Sequence, residues 1–218
     1  MKKVNVKNSS GEFIVGKMVC VGRNYAEHIK ELGHETPEFP LIFLKPASTI
    51  IYSGDKVIHP TYSEELHYEG ELVLLIGKDI KNGDAIEAEE AIAGYGVGLD
   101  MTLRDLQREL SKKGNPWTLA KCFDTSAVLS DFVLKTEHPL TMKETITLKV
   151  NGEVRQNSTL DMMIFSPVEI VKYISAVLPL EKGDLIFTGT PAGVGKVVKG
   201  DKIEAEITGI GSLETEIA

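Results

Sequence analysis

The chain has 218 residues, of which 42% are hydrophobic and 26% charged, an ordinary globular composition with enough length for one substantial core. A formal net charge of -8 argues against a large nucleic-acid or anionic-membrane footprint, since both need clustered Lys and Arg, and an anionic substrate would have to meet local positive charge. Cys20 and Cys122 lack the spacing of a disulfide scaffold or zinc ribbon, no stretch approaches the ~20 apolar residues of a membrane helix, and Asn5, Asn8, Glu12 and Lys17 interrupt any signal-peptide core, so a cytoplasmic enzyme fits.

One catalytic domain is expected over residues 17–218, preceded by a short extension, 1–16. Residues 2–21 alternate weakly around the turn Ser9-Ser10-Gly11, which predicts two or three short strands. Val21-Gly22-Arg23-Asn24-Tyr25 leads into a helix of about two turns over residues 26–32, stopped by Gly33, on which His28 and Glu31 share a face. Residues 33–40 are polar and aperiodic between a glycine and a proline, the composition of a loop able to move. Short strands follow at 41–44 and 57–59.

Residues 66–76, Leu66-His67-Tyr68-Glu69-Gly70-Glu71-Leu72 and the apolar run behind them, read as the central strand. Alternation points His67, Glu69 and Glu71 one way, so two carboxylates converge as the chain enters a hydrophobic segment. Such charges repel and resist desolvation unless a cation sits between them, for which a divalent metal is the simplest choice. The competing reading is an exposed strand end with two solvated glutamates. Glu204 and Glu206 fit that second description, because Ile203, Ala205 and Ile207 alternate with them.

A helix is expected at 85–92 and a strand at 93–101. Gly94, Gly96 and Gly98 strip one face of that strand for close approach by a backbone or ligand, and Asp100 continues the face. Residues 103–113 carry Leu103, Leu106 and Leu110 on one side of an amphipathic helix. Residues 145–150 and 153–156 flank Asn151-Gly152 as a hairpin, and Pro167 opens a helix with Val168, Ile170, Val171, Ile174 and Val177 inward. Strands at 185–188, 202–208 and 212–217 close the chain. Strands outnumber helices without regular alternation, which favours an α+β fold with a β-rich mixed sheet over a doubly wound one.

Several motifs fail. Gly189-Thr190-Pro191-Ala192-Gly193-Val194-Gly195-Lys196 has the wrong spacing for a phosphate loop, residues 94–98 lack the third glycine of a dinucleotide fingerprint, and no GxSxG elbow occurs. Another set succeeds together: Val21-Gly22-Arg23-Asn24-Tyr25 before His28 and Glu31, Phe43-Leu44-Lys45-Pro46, Tyr68-Glu69-Gly70-Glu71-Leu72, Gly98-Leu99-Asp100-Met101-Thr102 with Arg104, Asp105 and Gln107, then Lys121, and Gly189-Thr190-Pro191 with Gly193-Val194-Gly195. In this order they resemble the fumarylacetoacetate hydrolase family, in particular short single-domain members acting on acylpyruvates, from about residue 17 onward.

The resemblance implies the family's C-terminal-domain fold, a β-rich roll or sandwich with a few short helices. It also implies Mg2+, with Mn2+ or Ca2+ as alternatives, on Glu69, Glu71 and Asp100, an oxygen-only set suited to a hard cation. His28 and Glu31 would activate water. Lys121 would join them in catalysis, while Arg23, Gln107 and Thr190 would contact a small anionic keto acid. The implied reaction is metal-dependent hydrolysis of a carbon–carbon bond in a 3-acylpyruvate, with an enolate stabilised at the metal. Alternatives on the same scaffold are an oxaloacetate decarboxylase or tautomerase, or an isomerase of hydroxymuconate-type dienoates. A non-enzymatic alternative, a calcium-stabilised binding module, would need more oxygen ligands than these carboxylates offer. Relatives suggest a homodimer, without nucleic-acid or membrane partners.

Overall fold

The computed structural model describes residues 1–8, 12–31, 33 and 35–218; the expected turn Ser9-Ser10-Gly11 and Leu32 at the end of the first expected helix lie outside the described residues. Five helices are present among them: α1 (Ala26–Glu31), α2 (Ala85–Ala91), α3 (Arg104–Lys112), α4 (Thr118–Lys121) and α5 (Pro167–Val177). α5 forms where the sequence places it. Ser166 Oγ accepts from the Glu169 N–H, the Glu169 carboxylate accepts from the Ser166 N–H at 2.8 Å, and Pro167 occupies the first turn, so the free amides are satisfied before Ile170, Val171 and Ile174 are buried. Asp84 caps α2 in the same manner, and the two helices pack together.

Most of the chain is sheet. An eight-stranded mixed sheet runs Leu41–Pro46, Lys17–Gly22, Leu185–Phe187, Gly70–Ile76, Ile92–Asp100, Ala127–Leu129, Ile50–Tyr52, with Val133–Leu134 also on Ile92–Asp100. A five-stranded sheet orders Glu153–Thr159, Thr145–Val150, Lys202–Ile207, Gly211–Ile217 and Lys56–Val57, and contains the expected hairpin with a register shift between Leu148 and Lys149. The expected α+β architecture is therefore observed. Two apolar clusters flank the large sheet: Leu72, Leu74, Val97 and Leu99 belong to the larger, which extends to α5 and the five-stranded sheet, while Val73, Leu75, Phe132 and Phe187 belong to the smaller. Val4, Val6 and Val15 of the N-terminal segment are buried in the smaller cluster. In the 33–40 loop, whose His34 lies outside the described residues, Phe39 stacks on Tyr173 with centroids 6.1 Å apart.

Residues 66–76 are not one strand. Leu66–Tyr68 pairs with Thr102–Leu103 and Gly195–Val197 in a separate three-stranded sheet, and the chain crosses to the eight-stranded sheet at Glu69. Periodicity continues through the crossover, so the sequence pattern cannot mark it. The glycine face of Ile92–Asp100 is closed by protein rather than ligand: an added Cβ would lie 2.3 Å from the Val133 carbonyl oxygen at Gly94, 2.9 Å from the Phe132 ring at Gly96, and 2.6 Å from both Phe187 and Val73 at Gly98. That packing ends at Asp100, which is buried and lines a cavity. Glu204 and Glu206 are exposed between buried Ile203, Ala205 and Ile207, as expected.

Candidate metal and active site

Register decides which acids meet. Glu71 pairs with Gly98 across the Gly70–Ile76 and Ile92–Asp100 strands, so Glu71 and Asp100 stand on one face, and the Asp100 N–H donates to the Glu69 carbonyl at 2.9 Å, drawing the crossover residue alongside. Glu69, Glu71 and Asp100 are all buried and present oxygens within 4.8 Å of one another.

Their cations come from distant chain segments. Lys121, at the end of α4, donates to Glu69 Oε2 at 2.7 Å and Asp100 Oδ2 at 2.6 Å. Lys45, fully buried on the Leu41–Pro46 strand, donates to Asp100 Oδ1 at 2.5 Å and to the carbonyls of Ser126 at 2.8 Å and Met101 at 3.3 Å. Arg104, opening α3, pairs with Glu69 Oε1, and its Nη1 donates to Gln107 Oε1 at 2.5 Å. Burial opposes the charge on Glu69, but Lys121 and Arg104 overcome it and hold the carboxyl below the usual range. Burial likewise works to neutralise Lys121, yet Asp100 and Glu69 outweigh it and keep the ammonium charged. Glu71 is treated differently: burial, then Asp100, then Glu69 push its carboxyl well up, and the Gly189 N–H at 2.7 Å is its only hydrogen-bond donor among the described residues. A buried carboxylate with that little compensation beside two others fits a hard divalent cation, which all three residues would hold.

The centre lies in a cavity of about 340 Å³ whose wall also includes Arg23, His28, His67, Gln107 and Thr190. Buried His28, on α1, presents Nδ1 at 3.0 Å from Glu31 Oε2, while Glu31 Oε1 accepts from the Gly193 N–H at 3.1 Å. Glu31 thus tethers α1 to the glycine-rich turn, and because a carboxylate only accepts, it is His28 Nδ1 that carries a proton toward it. α1 is held by Asn24, which is fully buried, donates to the Thr188 carbonyl at 2.8 Å and Phe165 carbonyl at 3.0 Å, and accepts from the Phe165 N–H at 2.8 Å. Gly189, at φ +96°, passes close to Asn24 and aims its N–H at Glu71. Thr190 Oγ1 accepts from Gln156 Nε2 at 2.8 Å, and Gln156 Oε1 accepts from the Gly70 N–H at 3.0 Å.

All nine residues singled out in the sequence line this cavity except Glu31, which reaches it through His28. Lys45, Asn24 and Gln156 were not, and His67 was placed on the face of Glu69 and Glu71 without a role. Lys45 and Asn24 lie inside the quoted motifs, but Gln156 carries no signal beyond being polar. His67 is held neutral: burial first, then the Arg104 guanidinium beside it, push its pKa down to about 4.

A buried carboxylate triad beside an oriented histidine, on a mixed-sheet scaffold, defines a divalent-metal enzyme. The chain belongs to the fumarylacetoacetate hydrolase family, matching the Fumarylacetoacetate (FAA) hydrolase C-terminal domain over residues 17–218. It is similar to oxaloacetate tautomerase FAHD1, mitochondrial, of Mus musculus, with 46% identity over 92% of this chain and 90% of that one. Among solved structures it is similar to fumarylpyruvate hydrolase from Pseudomonas aeruginosa, crystallised with Mn2+ and pyruvate, at 39% identity and a TM-score of 0.96 over 100% of this chain and 95% of that one. It is also similar to 5-carboxymethyl-2-hydroxymuconate delta-isomerase from Mycobacterium smegmatis, at 37% identity and a TM-score of 0.83 over 94% and 80% of the respective chains. No helix among the described residues is long and apolar enough to cross a membrane.

Proposed function

We propose that this protein is a Mg2+- or Mn2+-dependent hydrolase of 3-acylpyruvates, using His28 as general base. The observation that carries the reading is the meeting, in one cavity, of the Glu69, Glu71 and Asp100 carboxylates with a histidine whose Nδ1 is fixed by Glu31. When bound, the cation supplies Lewis-acid stabilisation of charge developing on the keto acid. His28 Nε2 takes a proton from water as its oxygen adds to the distal carbonyl carbon. The bond between that carbon and C3 breaks, its electron pair passes into the pyruvate fragment as an enolate, and the proton taken up by His28 returns to C3, releasing pyruvate and a carboxylic acid that ionises to the carboxylate. Lys121 faces the developing charge, Arg104 fixes Glu69 and Gln107 at the cavity wall, and Gln156 seats Thr190.

A second reading is supported by the 46% identity to a protein named oxaloacetate tautomerase: His28 would move a proton between carbon and oxygen of a keto diacid without breaking the carbon skeleton. Incubation with Mg2+ and acetylpyruvate, fumarylpyruvate or oxaloacetate separates the readings. Acetate or fumarate with pyruvate marks hydrolysis, enol loss with an intact skeleton marks tautomerisation, and CO₂ with pyruvate marks decarboxylation. Activity unaffected by EDTA would remove the metal from both. The reading extends to a cytoplasmic homodimer, supported by two free cysteines and by the exposed Leu44 on the edge strand Leu41–Pro46; light scattering in solution tests the dimer.

A further inference from the structure

The proposed base and the triad stand on different parts of the chain: His28 and Glu31 on α1, the carboxylates on the crossover and the large sheet. α1 has only six residues, too few to hold itself in place, so tertiary contacts must orient it. Asn24 anchors its start, and at its end Glu31 Oε1 accepts from the Gly193 N–H at 3.1 Å. Two groups bracket Gly193 and set the direction of that N–H. On one side is the Arg155 carbonyl, whose oxygen an added Cβ would approach to 2.0 Å, and the residue sits at φ +100°, so only glycine fits. On the other, the Gly193 carbonyl accepts from the Tyr68 hydroxyl at 3.0 Å.

Tyr68 is 3% exposed, and its hydroxyl makes no other hydrogen bond among the described residues. A buried hydroxyl is costly to desolvate unless bonded, and phenylalanine would fill the same space without that cost, so the Gly193 carbonyl is what the oxygen serves. The ring reaches it across Gly195, its partner in the three-stranded sheet, where an added Cβ would lie 2.9 Å from the hydroxyl. Tyr68 does not line the cavity and touches no ligand there, yet it immediately precedes Glu69 in the chain. The hydroxyl thus heads a series of contacts: Tyr68 to Gly193, Gly193 to Glu31, and Glu31 to His28 Nδ1 at 3.0 Å. We propose that Tyr68 is a positioning residue for the general base: it fixes the glycine-rich turn that orients Glu31 and His28, and so registers α1 against the segment that carries Glu69. This role rests on the reading of His28 as that base.

The test is Tyr68→Phe, which keeps the ring and deletes one oxygen, assayed on the Mn2+-loaded protein with fumarylpyruvate, acetylpyruvate and oxaloacetate. kcat should fall about 3- to 10-fold, the range of one net hydrogen bond, with KM and Mn2+ affinity within about twofold of wild type. Because the hydroxyl acts through Glu31, the same substitution made in Glu31→Gln should cause no further loss, whereas a merely structural role would give additive effects. In free, 15N-labelled protein the His28 Nδ1 proton should exchange with water faster in Tyr68→Phe, by about 3- to 10-fold. An unchanged exchange rate, or an equal loss of kcat in both backgrounds, overturns the assignment. Should Tyr68→Phe fail to fold, Gly195→Ala takes its place, because the added methyl would push the hydroxyl from the carbonyl. If wild type turns over none of the three keto acids, the hydrolase and tautomerase readings fall, and the exchange rate alone decides the role of Tyr68.

Discussion

On the proposed mechanism His28 and Glu71 have separate tasks, and substitution should separate them. His28→Gln is expected to lower kcat by about 10²- to 10⁴-fold, the range of general-base assistance, while Mn2+ affinity measured by calorimetry stays close to wild type. Glu71→Gln should lose metal affinity and turnover together; metal bound at wild-type affinity in that variant would displace Glu71 from the centre. Lys45 has a mainly structural consequence. Its ammonium satisfies Asp100 Oδ1 and two buried carbonyls, so Lys45→Met leaves Asp100 to Lys121 alone and strips both carbonyls of that donor, and should cost about 1–3 kcal/mol in urea unfolding. Glu144 sets a pH response remote from the cavity. Burial works to raise its carboxyl, but the Thr141 N–H and hydroxyl, each 3.0 Å away, and His138 at 3.1 Å hold it below the usual range. A depressed carboxyl stabilises the fold above its unfolded pKa of about 4.3, and the benefit disappears as pH falls through the folded value. Glu144→Gln should therefore be less stable than wild type at pH 7, with the gap narrowing at pH 3; an equal gap at both pH values would contradict this sign.

Elements whose determinants are local were readable from the chain. Ser166, Pro167 and Glu169 start α5 by themselves, and Ser166→Ala should lower stability by about 0.5–2 kcal/mol, seen as a lower Tm, because one amide loses its acceptor. Asn151-Gly152 likewise fixes the hairpin, and alternation within each strand gives the faces of Glu71 and Asp100, while the Glu71–Gly98 register brings those faces together. What escaped depends on residues far apart in sequence. Lys45 finds Asp100 across 55 positions, Arg104 finds Glu69 across 35, and Gln156 reaches Gly70 across 86. No window of periodicity contains both partners. α4 is only four residues long and carries no side-chain cap, so its propensity signal is too short to detect, although it delivers Lys121. The family motifs recovered Lys121 and Thr190 where residue-level patterning could not.

At the scale of the molecule, the centre draws on two sheets. Glu71 and Asp100 belong to the eight-stranded sheet, and Glu69 lies where the chain arrives from the three-stranded one. A cation held by all three should raise Tm in Mn2+ relative to EDTA, by about 2.7 kcal/mol of added stability when the ion stands at 100 times its Kd. The same placement would make a bound ion a rivet at the seam. A cation there would pin the crossover residue Glu69, next to Tyr68, onto the large sheet, so amide deuteration of the Leu66–Tyr68 and Gly70–Ile76 segments should slow together on metal loading, and in its absence the smaller layer should open first and alone.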